Sequence, residues 1–249
     1  MKKPHRNIIS KRFGIVTIVI EGHKVKAKQS STILENTQEL NIDIPTLCYH
    51  MDLSPFGGCR LCTVEVRTNG KWQLTTSCNT PVEDEMEIRT DSDLVKESRK
   101  LTAELLYYKY PTTEAVREVA RKLGVQTLEE KGEGHDCILC GLCVRTCREI
   151  VGVNALTFHD RGLNRNIDEP EIEFDPNSCI GCGSCAYVCP TVYVKMEMVD
   201  DKRIIWNKVF KMAACKVCGR YYAPQEQLEY ISKTTGVSLD VLSVCVDCR

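Results

Sequence analysis

The sequence predicts an α+β chain broken into several small units, each tied together by thiolate-bound metal. Three observations predict it. All sixteen cysteines fall into four complete sets of four: Cys48, Cys59, Cys62 and Cys78; Cys137, Cys140, Cys143 and Cys147; Cys179, Cys182, Cys185 and Cys189; and Cys215, Cys218, Cys245 and Cys248. Strand-like β-branched runs and stretches of helical periodicity both occur, in separate blocks. At 249 residues, four metal sites strung along one chain favour small domains whose apolar cores alone would be thin. No cysteine is left over, and a buried thiolate is costly unless something cationic holds it.

In chain order, residues 1–12 form a polar tail. Ile15-Val16-Thr17-Ile18-Val19-Ile20 is β-branched, Glu21-Gly22 makes a turn, and His23-Lys24-Val25-Lys26-Ala27-Lys28 alternates, which predicts a hairpin. Thr32 with Glu35 three residues on is a capping box, opening a helix through about Leu40. Pro45 ends that segment and leads into Cys48. Residues 63–66 and 86–88 read as further strands. Two strands, a helix, a cysteine loop and more strands make a β-grasp ferredoxin domain over residues 13–90. Residues 91–134 are a helical connector. Leu94, Leu101 and Leu105, then Val116, Val119 and Leu123, recur at helical spacing, with Pro111 dividing two helices. These apolar stripes are expected to pack on neighbouring domains, and Lys131-Gly132-Glu133-Gly134 to be a short linker. Residues 135–200 hold the two C-x2-C-x2-C-x3-C runs, separated by a segment with Arg161-Gly162 and the acidic Asp168-Glu169-Pro170-Glu171. Residues 201–249 hold the last set as a small zinc-ribbon-like module.

Formal net charge is -1, from 33 basic and 34 acidic residues, which points away from nucleic acid and anionic membrane as partners. No run approaches the ~20 apolar residues of a membrane span. Lys2, Lys3 and Arg6 could open a signal peptide, but the apolar stretch behind them is short and stops at Glu21, so no leader is expected. Closely spaced thiols of the C-x2-C-x2-C-x3-C kind serve one metal cluster well and several disulfides poorly, which favours a reducing cytoplasm. There is no G-x-G-x-x-G after a strand, no P-loop and no nucleophile elbow. Neither a flavin nor a nicotinamide site is expected on this chain.

A C-x2-C-x2-C loop wraps three corners of a cubane, and where two runs occur the fourth cysteine of each ligates the other cluster. On that rule Cys137, Cys140 and Cys143 with Cys189 hold one [4Fe–4S] cluster, and Cys179, Cys182 and Cys185 with Cys147 hold a second. Gly141, Gly181 and Gly183 sit inside the loops, where a missing side chain lets backbone N–H groups approach the sulfurs. Pro190 follows the second run, whereas Arg148 stands at the matching place in the first. The last set, C-x2-C-x26-C-x2-C, is two knuckles that suit a tetrahedral zinc ion folding a small module. A third [4Fe–4S] cluster is the alternative there, a rubredoxin-type iron comes after it, and spacing alone does not separate them. His50 and His135 lie two residues from cluster cysteines and are read as surface histidines, because every set is already complete. Arg60 and Arg145, beside or between ligands, either favour the reduced clusters or are ordinary solvated arginines. The acidic stretch near Glu169 is read as a solvated loop.

The first set has the spacing C-x10-C-x2-C-x15-C, whereas four residues separate the first two cysteines of plant ferredoxins. Its surrounding words are Ile44-Pro45-Thr46-Leu47-Cys48-Tyr49, Gly57-Gly58-Cys59-Arg60-Leu61-Cys62-Thr63-Val64-Glu65-Val66 and Ser77-Cys78-Asn79-Thr80-Pro81-Val82. In these it resembles the [2Fe–2S] domain at the start of the largest iron–sulfur subunit of respiratory complex I. The resemblance continues through Cys137-Ile138-Leu139-Cys140-Gly141-Leu142-Cys143-Val144-Arg145 to Arg161-Gly162 and covers residues 13–200. It is shared by the small diaphorase subunits of NAD(P)-linked [NiFe] hydrogenases and by the electron-transfer front end of [FeFe] hydrogenases.

The resemblance implies a [2Fe–2S] cluster on Cys48, Cys59, Cys62 and Cys78. It also implies a non-catalytic electron-relay subunit of a soluble complex, an NAD(P)-linked or electron-bifurcating [NiFe] hydrogenase. A flavin- and NAD(P)-binding subunit would exchange electrons with the first domain. The cubanes would lead to a hydrogenase small subunit or another terminal oxidoreductase module. Two departures matter. Relatives commonly carry a His-plus-three-Cys cluster, but here the matching helix ends in Tyr110-Pro111, with no cysteine before Cys137, so that cluster is expected to be absent. The chain ends at Arg249 without the long catalytic domain of an [FeFe] hydrogenase. Cys218-Gly219 and Ala223-Pro224-Gln225 resemble a C-terminal element of some hydrogenase-complex ferredoxin subunits. The alternatives are the equivalent relay subunit of an NAD-linked formate dehydrogenase, a free ferredoxin-like carrier, and a redox-sensing or scaffold protein.

Overall fold

Alternation along the first strand sets the first core. In β1 (Ile15–Ile20), Val16, Ile18 and Ile20 point inward while Ile15 and Thr17 face solvent. β1 pairs antiparallel with β2 (His23–Lys28) through Glu21 and Gly22, whose φ values of 49° and 81° suit a two-residue type I′ hairpin turn. The computed structural model describes residues 14–126, 137–159 and 172–249. The polar tail, the linker at 131–134, His135, Arg161, Gly162 and the acidic stretch at 168–171 lie outside the described residues.

The capping box is present. The Glu35 N–H donates to Thr32 Oγ1 at 3.3 Å and the Thr32 N–H donates to Glu35 Oε2 at 2.7 Å, opening α1 (Ile33–Glu39). Thr32→Ala is expected to cost about 1 kcal/mol of unfolding free energy, measurable by denaturant titration. β3 (Thr63–Thr68), β4 (Lys71–Thr76) and β5 (Glu87–Arg89) complete a five-stranded sheet of order β2-β1-β5-β3-β4. β1 and β5 run parallel and the other pairs antiparallel. Ile33 and Leu34 of α1 bury themselves among Ile18, Val64 and Ile88, and Cys62 and Cys78 belong to the same core. This is the expected β-grasp unit. β4 was not legible as a strand, although Asn69 and Gly70, at φ 53° and 77°, are a hairpin turn signal.

α2 (Asp93–Lys109) and α3 (Glu114–Lys122) divide at Pro111 as expected. The buried face of α2 differs from the expected one. Leu94, Leu101 and Leu105 are 47%, 56% and 64% exposed, and the helix buries Val95, Arg99, Ala103 and Tyr107 instead. The reason is Arg99, whose buried Nε–H donates to the Thr63 carbonyl of β3 at 2.9 Å. A paired guanidinium holds the inward face, so a search for apolar periodicity chooses the wrong stripe.

The chain divides into two compact units, and the segments His50–Ser54 and Thr112–Glu114 belong to the second. In that unit α4 (Leu142–Arg145) runs on into a π-helical turn, Thr146–Val151, closed by Gly152 at φ 84°. β6 (Leu156–Phe158) pairs antiparallel with β7 (Ile172–Phe174), and α5 (Ser184–Tyr187) is one short turn. β8 (Met196–Val199), β9 (Lys202–Ile205), β10 (Lys208–Ala214) and β11 (Tyr221–Pro224) form an antiparallel sheet of order β11-β10-β9-β8. Position 200, where the sequence suggests a boundary, falls within this sheet. Ile205 and Phe210 reach back into a core with Cys143, Cys147 and Leu156. α6 (Gln225–Thr235) and α7 (Leu239–Leu242) cover the far end, where Ala223, Leu228 and Leu242 form a small separate core. Among the described residues no helix is long and apolar enough to cross a membrane.

Candidate metal centres

All sixteen cysteines lie among the described residues, and none is in a disulfide. In the first set Cys48 ends the loop that Pro45 begins, Cys59 and Cys62 bracket a turn, and Cys78 follows β4. The four sulfurs meet as two pairs, Cys48 with Cys59 and Cys62 with Cys78, the second pair feeling the charge of the first. The Cys48 thiol bonded to Cys59 holds the latter at about 6, against the opposing effect of burial. Cys78 does the same for Cys62, at about 7. Cys48 and Cys78, the proton-bearing partners, are pushed up. Gly57 adopts φ 68°, and a Cβ there would lie 2.8 Å from Asn79 Nδ2, so the loop entering Cys59 can close on the residue after Cys78 only as glycine.

In the second unit the fourth cysteine of each run faces the other run. Cys189 lies by Cys137, Cys140 and Cys143, whose thiols or near neighbours sense it. Cys147 lies by Cys179, Cys182 and Cys185. Burial pushes Cys140 and Cys185 each up to about 12. Thiols so buried ionise only beside a positive centre. Backbone N–H groups oppose burial: the Ala155 N–H donates to Cys147 Sγ at 3.2 Å, and those of Leu142 and Gly181 favour the Cys140 and Cys179 thiolates. Gly181, at φ 68°, also makes room for a ring, since a Cβ would lie 2.6 Å from Phe210 Cγ.

The fourth set is the tightest. Cys215 and Cys218 follow β10, and Cys245 and Cys248 open and close a terminal 3-10 turn, Val246–Cys248. Their four ligand atoms lie within 4.8 Å of one another, and Cys218 Sγ is 3.8 Å from Cys245 Sγ. Backbone N–H donors from Cys245 at 3.3 Å and Val217 at 3.4 Å point at Cys215 Sγ, and the Cys245 bond leads in holding that thiol at about 6.

These geometries fit what comparison finds. Residues 15–93 match a family described as a 2Fe-2S iron-sulfur cluster binding domain, and residues 136–192 match a 4Fe-4S dicluster domain. The chain carries an iron–sulfur domain of each kind. It is 30% identical over 244 residues to the NADPH-Fe(3+) oxidoreductase subunit alpha of Geobacter sulfurreducens, a match covering 88% of this chain and 28% of that protein. It is 31% identical over 178 residues to the NADH-ubiquinone oxidoreductase 75 kDa subunit of Reclinomonas americana, covering 61% of this chain and 26% of the relative. The chain thus spans little more than a quarter of the length of these relatives. A chain in the crystal structure of NAD+-reducing [NiFe]-hydrogenase in the H2-reduced state superposes with a TM-score of 0.51 at 26% identity. That match covers 59% of this chain and 71% of the other.

Several charged groups around the domains were not singled out by sequence reasoning. From α2, Arg99 lies near Cys62 of the 2Fe-2S domain, and burial lowers its own pKa. From β9, Arg203 Nη1 donates to the Gly181 and Cys182 carbonyls of the dicluster domain at 2.9 and 3.2 Å. Lys208 Nζ donates to those of Pro176 and Cys179 at 2.6 and 3.1 Å. All three come from positions distant in sequence, so no local spacing announces them. Of the two arginines the sequence did flag, Arg60 is exposed at φ 60°, while Arg145 is buried and donates to the Ser54 carbonyl at 2.6 Å. His50 is a surface group beside Asp52, as expected.

Proposed function

We propose that this chain is an electron-relay subunit whose thiolates hold one [2Fe–2S] cluster, two [4Fe–4S] clusters and one zinc ion. Cys48 and Cys59 take one iron of the [2Fe–2S] cluster and Cys62 and Cys78 the other; the pairing of the four thiols supports this division. Cys137, Cys140, Cys143 and Cys189 hold one cubane, and Cys179, Cys182, Cys185 and Cys147 the second. Such clusters supply one-electron acceptance and release at potentials tuned by surrounding charge and hydrogen bonds. The protein's own part is to bury the thiolates, direct backbone N–H groups at them and hold the two cubane centres side by side.

The observation that carries the relay reading is one shared core, in which Cys143 and Cys189 of one centre pack with Cys147, Cys179 and Cys185 of the other. Two neighbouring one-electron centres in one small core serve transfer rather than bond-making. By analogy with the hydrogenase and oxidoreductase relatives, a flavin- and NAD(P)-binding subunit exchanges electrons with the first domain. The dicluster domain then serves a hydrogenase module in a soluble, cytoplasmic complex. The test is anaerobic mixing. The isolated chain is expected to stay oxidised with NAD(P)H and to be reduced within seconds once a flavoprotein partner purified with it is added. Oxidation of NAD(P)H by the chain alone would refute the relay reading.

Sulfur spacing at the fourth set favours a single tetrahedral ion, read as zinc, over a third cubane. A tetrahedral ion with Zn–S bonds of ~2.3 Å sets its sulfurs about 3.8 Å apart. A cubane interposes iron between its centre and each cysteine and holds the sulfurs wider. The observed 3.8 Å from Cys218 to Cys245 suits the single ion. Cys245→Ser is expected to release about one zinc per chain while iron stays at about 10, by elemental analysis. Loss of about four iron would mean a third cubane.

A further inference from the structure

The hairpin of β9 and β10 has a role beyond packing. Its turn is Trp206-Asn207, with both residues at positive φ, 52° and 58°. Asparagine is at home there, but a tryptophan in that conformation is a genuine outlier that its surroundings must hold. They do so on two sides. The indole stacks on Phe174, with centroids 6.0 Å apart and planes at 18°, and meets Tyr193 edge-on at 6.3 Å. The result is that Trp206 lines the cavity enclosed by Cys147, Cys179, Cys182 and Cys185.

Its Nε1–H is fully buried and has no hydrogen-bond partner. Cys185 lines the same cavity and packs in the same core. A buried indole N–H without an acceptor is costly, and a cysteine sulfur bearing the charge of a metal cluster would satisfy it. The same hairpin supplies a cation. Arg203 hooks its Nη1 over the Gly181 and Cys182 carbonyls and also keeps a buried Nε without a partner. Two unpartnered buried donors on one hairpin, both turned toward one cysteine loop, do not follow from the needs of packing.

We infer that Trp206 and Arg203 are positioning residues that raise the reduction potential of the cluster at Cys147, Cys179, Cys182 and Cys185, through an N–H donor at Cys185 and a positive charge at Cys182. The inference rests on the reading that these four thiolates hold a [4Fe–4S] cluster. The couple is a one-electron reduction in which no bond or proton moves; the extra negative charge falls largely on the sulfurs. A donor or cation fixed beside them stabilises the reduced form more than the oxidised one. Because Trp206 and Arg203 face this cysteine group, their influence should be confined to one of the two cubanes.

The test is a dithionite titration, with mediators, of the anaerobically purified full chain, read by electron paramagnetic resonance and accompanied by iron analysis. Trp206→Phe keeps the ring and deletes the donor, and Arg203→Gln deletes the charge. Each is expected to lower the reduced fraction of one cubane at fixed potential by about threefold, about 30 mV at ~59 mV per tenfold for one electron. The other cubane and the [2Fe–2S] signal should not move, and Arg203→Lys should restore most of the shift. Unchanged midpoints in both variants at full iron content, or equal shifts of both cubanes, would overturn the inference while leaving the cluster reading intact. A wild-type chain with no cubane signal would overturn both. Should Trp206→Phe lose iron, Arg203→Gln and its lysine rescue decide alone.

Discussion

Replacing Cys189 with alanine is expected to empty the centre built on Cys137, Cys140 and Cys143, rather than the one built on its own neighbours in sequence. Cys189 belongs by position to the run that begins at Cys179. Yet its charge is felt at Cys140 and Cys143, and Tyr193 senses it together with Cys137 and Cys143. Cys147 shows the reciprocal arrangement, with Cys179, Cys182 and Cys185 around it. A cubane with three ligands is labile, so iron should fall from about 10 to about 6 per chain. Binding energy at such a site is also folding energy, and the variant should unfold more readily. Iron analysis with electron paramagnetic resonance of the reduced protein reads the result. Cys147→Ala should remove the other cubane signal. If Cys189→Ala and Cys147→Ala each removed the signal of their own run, the crossed arrangement would be wrong.

Phe210→Ala is expected to be the most damaging substitution away from the cysteines. The ring is fully buried, it fills the space that Gly181 leaves by having no side chain, and Lys208 Nζ lies 4.4 Å from its centroid. Deleting a buried phenylalanine typically costs ~3–5 kcal/mol, the spread reflecting how far the cavity can collapse. Here collapse is restrained, because the loop opposite the ring is held at Cys179 and Cys182. A denaturant titration of the anaerobic, iron-loaded protein should show that loss together with faster release of iron. A cost below about 1 kcal/mol would mean that the ring does not support the loop. The converse change, Gly181→Ala, should be nearly as harmful, since it combines a strained φ of 68° with a contact on Phe210.

What was legible in the chain was local. The cysteine spacing marked the four cysteine groups, and the Thr32–Glu35 pair marked the start of α1, because both are read within one loop or one turn. The elements not recognised depend on partners far away in sequence. β10 alternates Phe210 and Met212 inward with Val209 and Lys211 outward, yet lysines dilute the pattern and its partners β9 and β11 are only four residues each. The inward face of α2 was hidden by Arg99, which reads as a surface residue until the Thr63 carbonyl is placed beside it. Trp206 carries no motif at all; the stacking on Phe174 and Tyr193 gives it meaning. The packing of α6 within the second unit is of the same kind, with the Tyr230 hydroxyl donating to the Val151 carbonyl at 3.1 Å.

The metal content of the anaerobically isolated chain tests the central claim most directly. Three clusters and one zinc predict about 10 iron and about one zinc per chain. Brown protein with those values, and with one [2Fe–2S] and two [4Fe–4S] signals on reduction, is the expected result. A colourless protein holding zinc but no iron would contradict the account, because the twelve cysteines of the first three sets would then be serving no electron carrier.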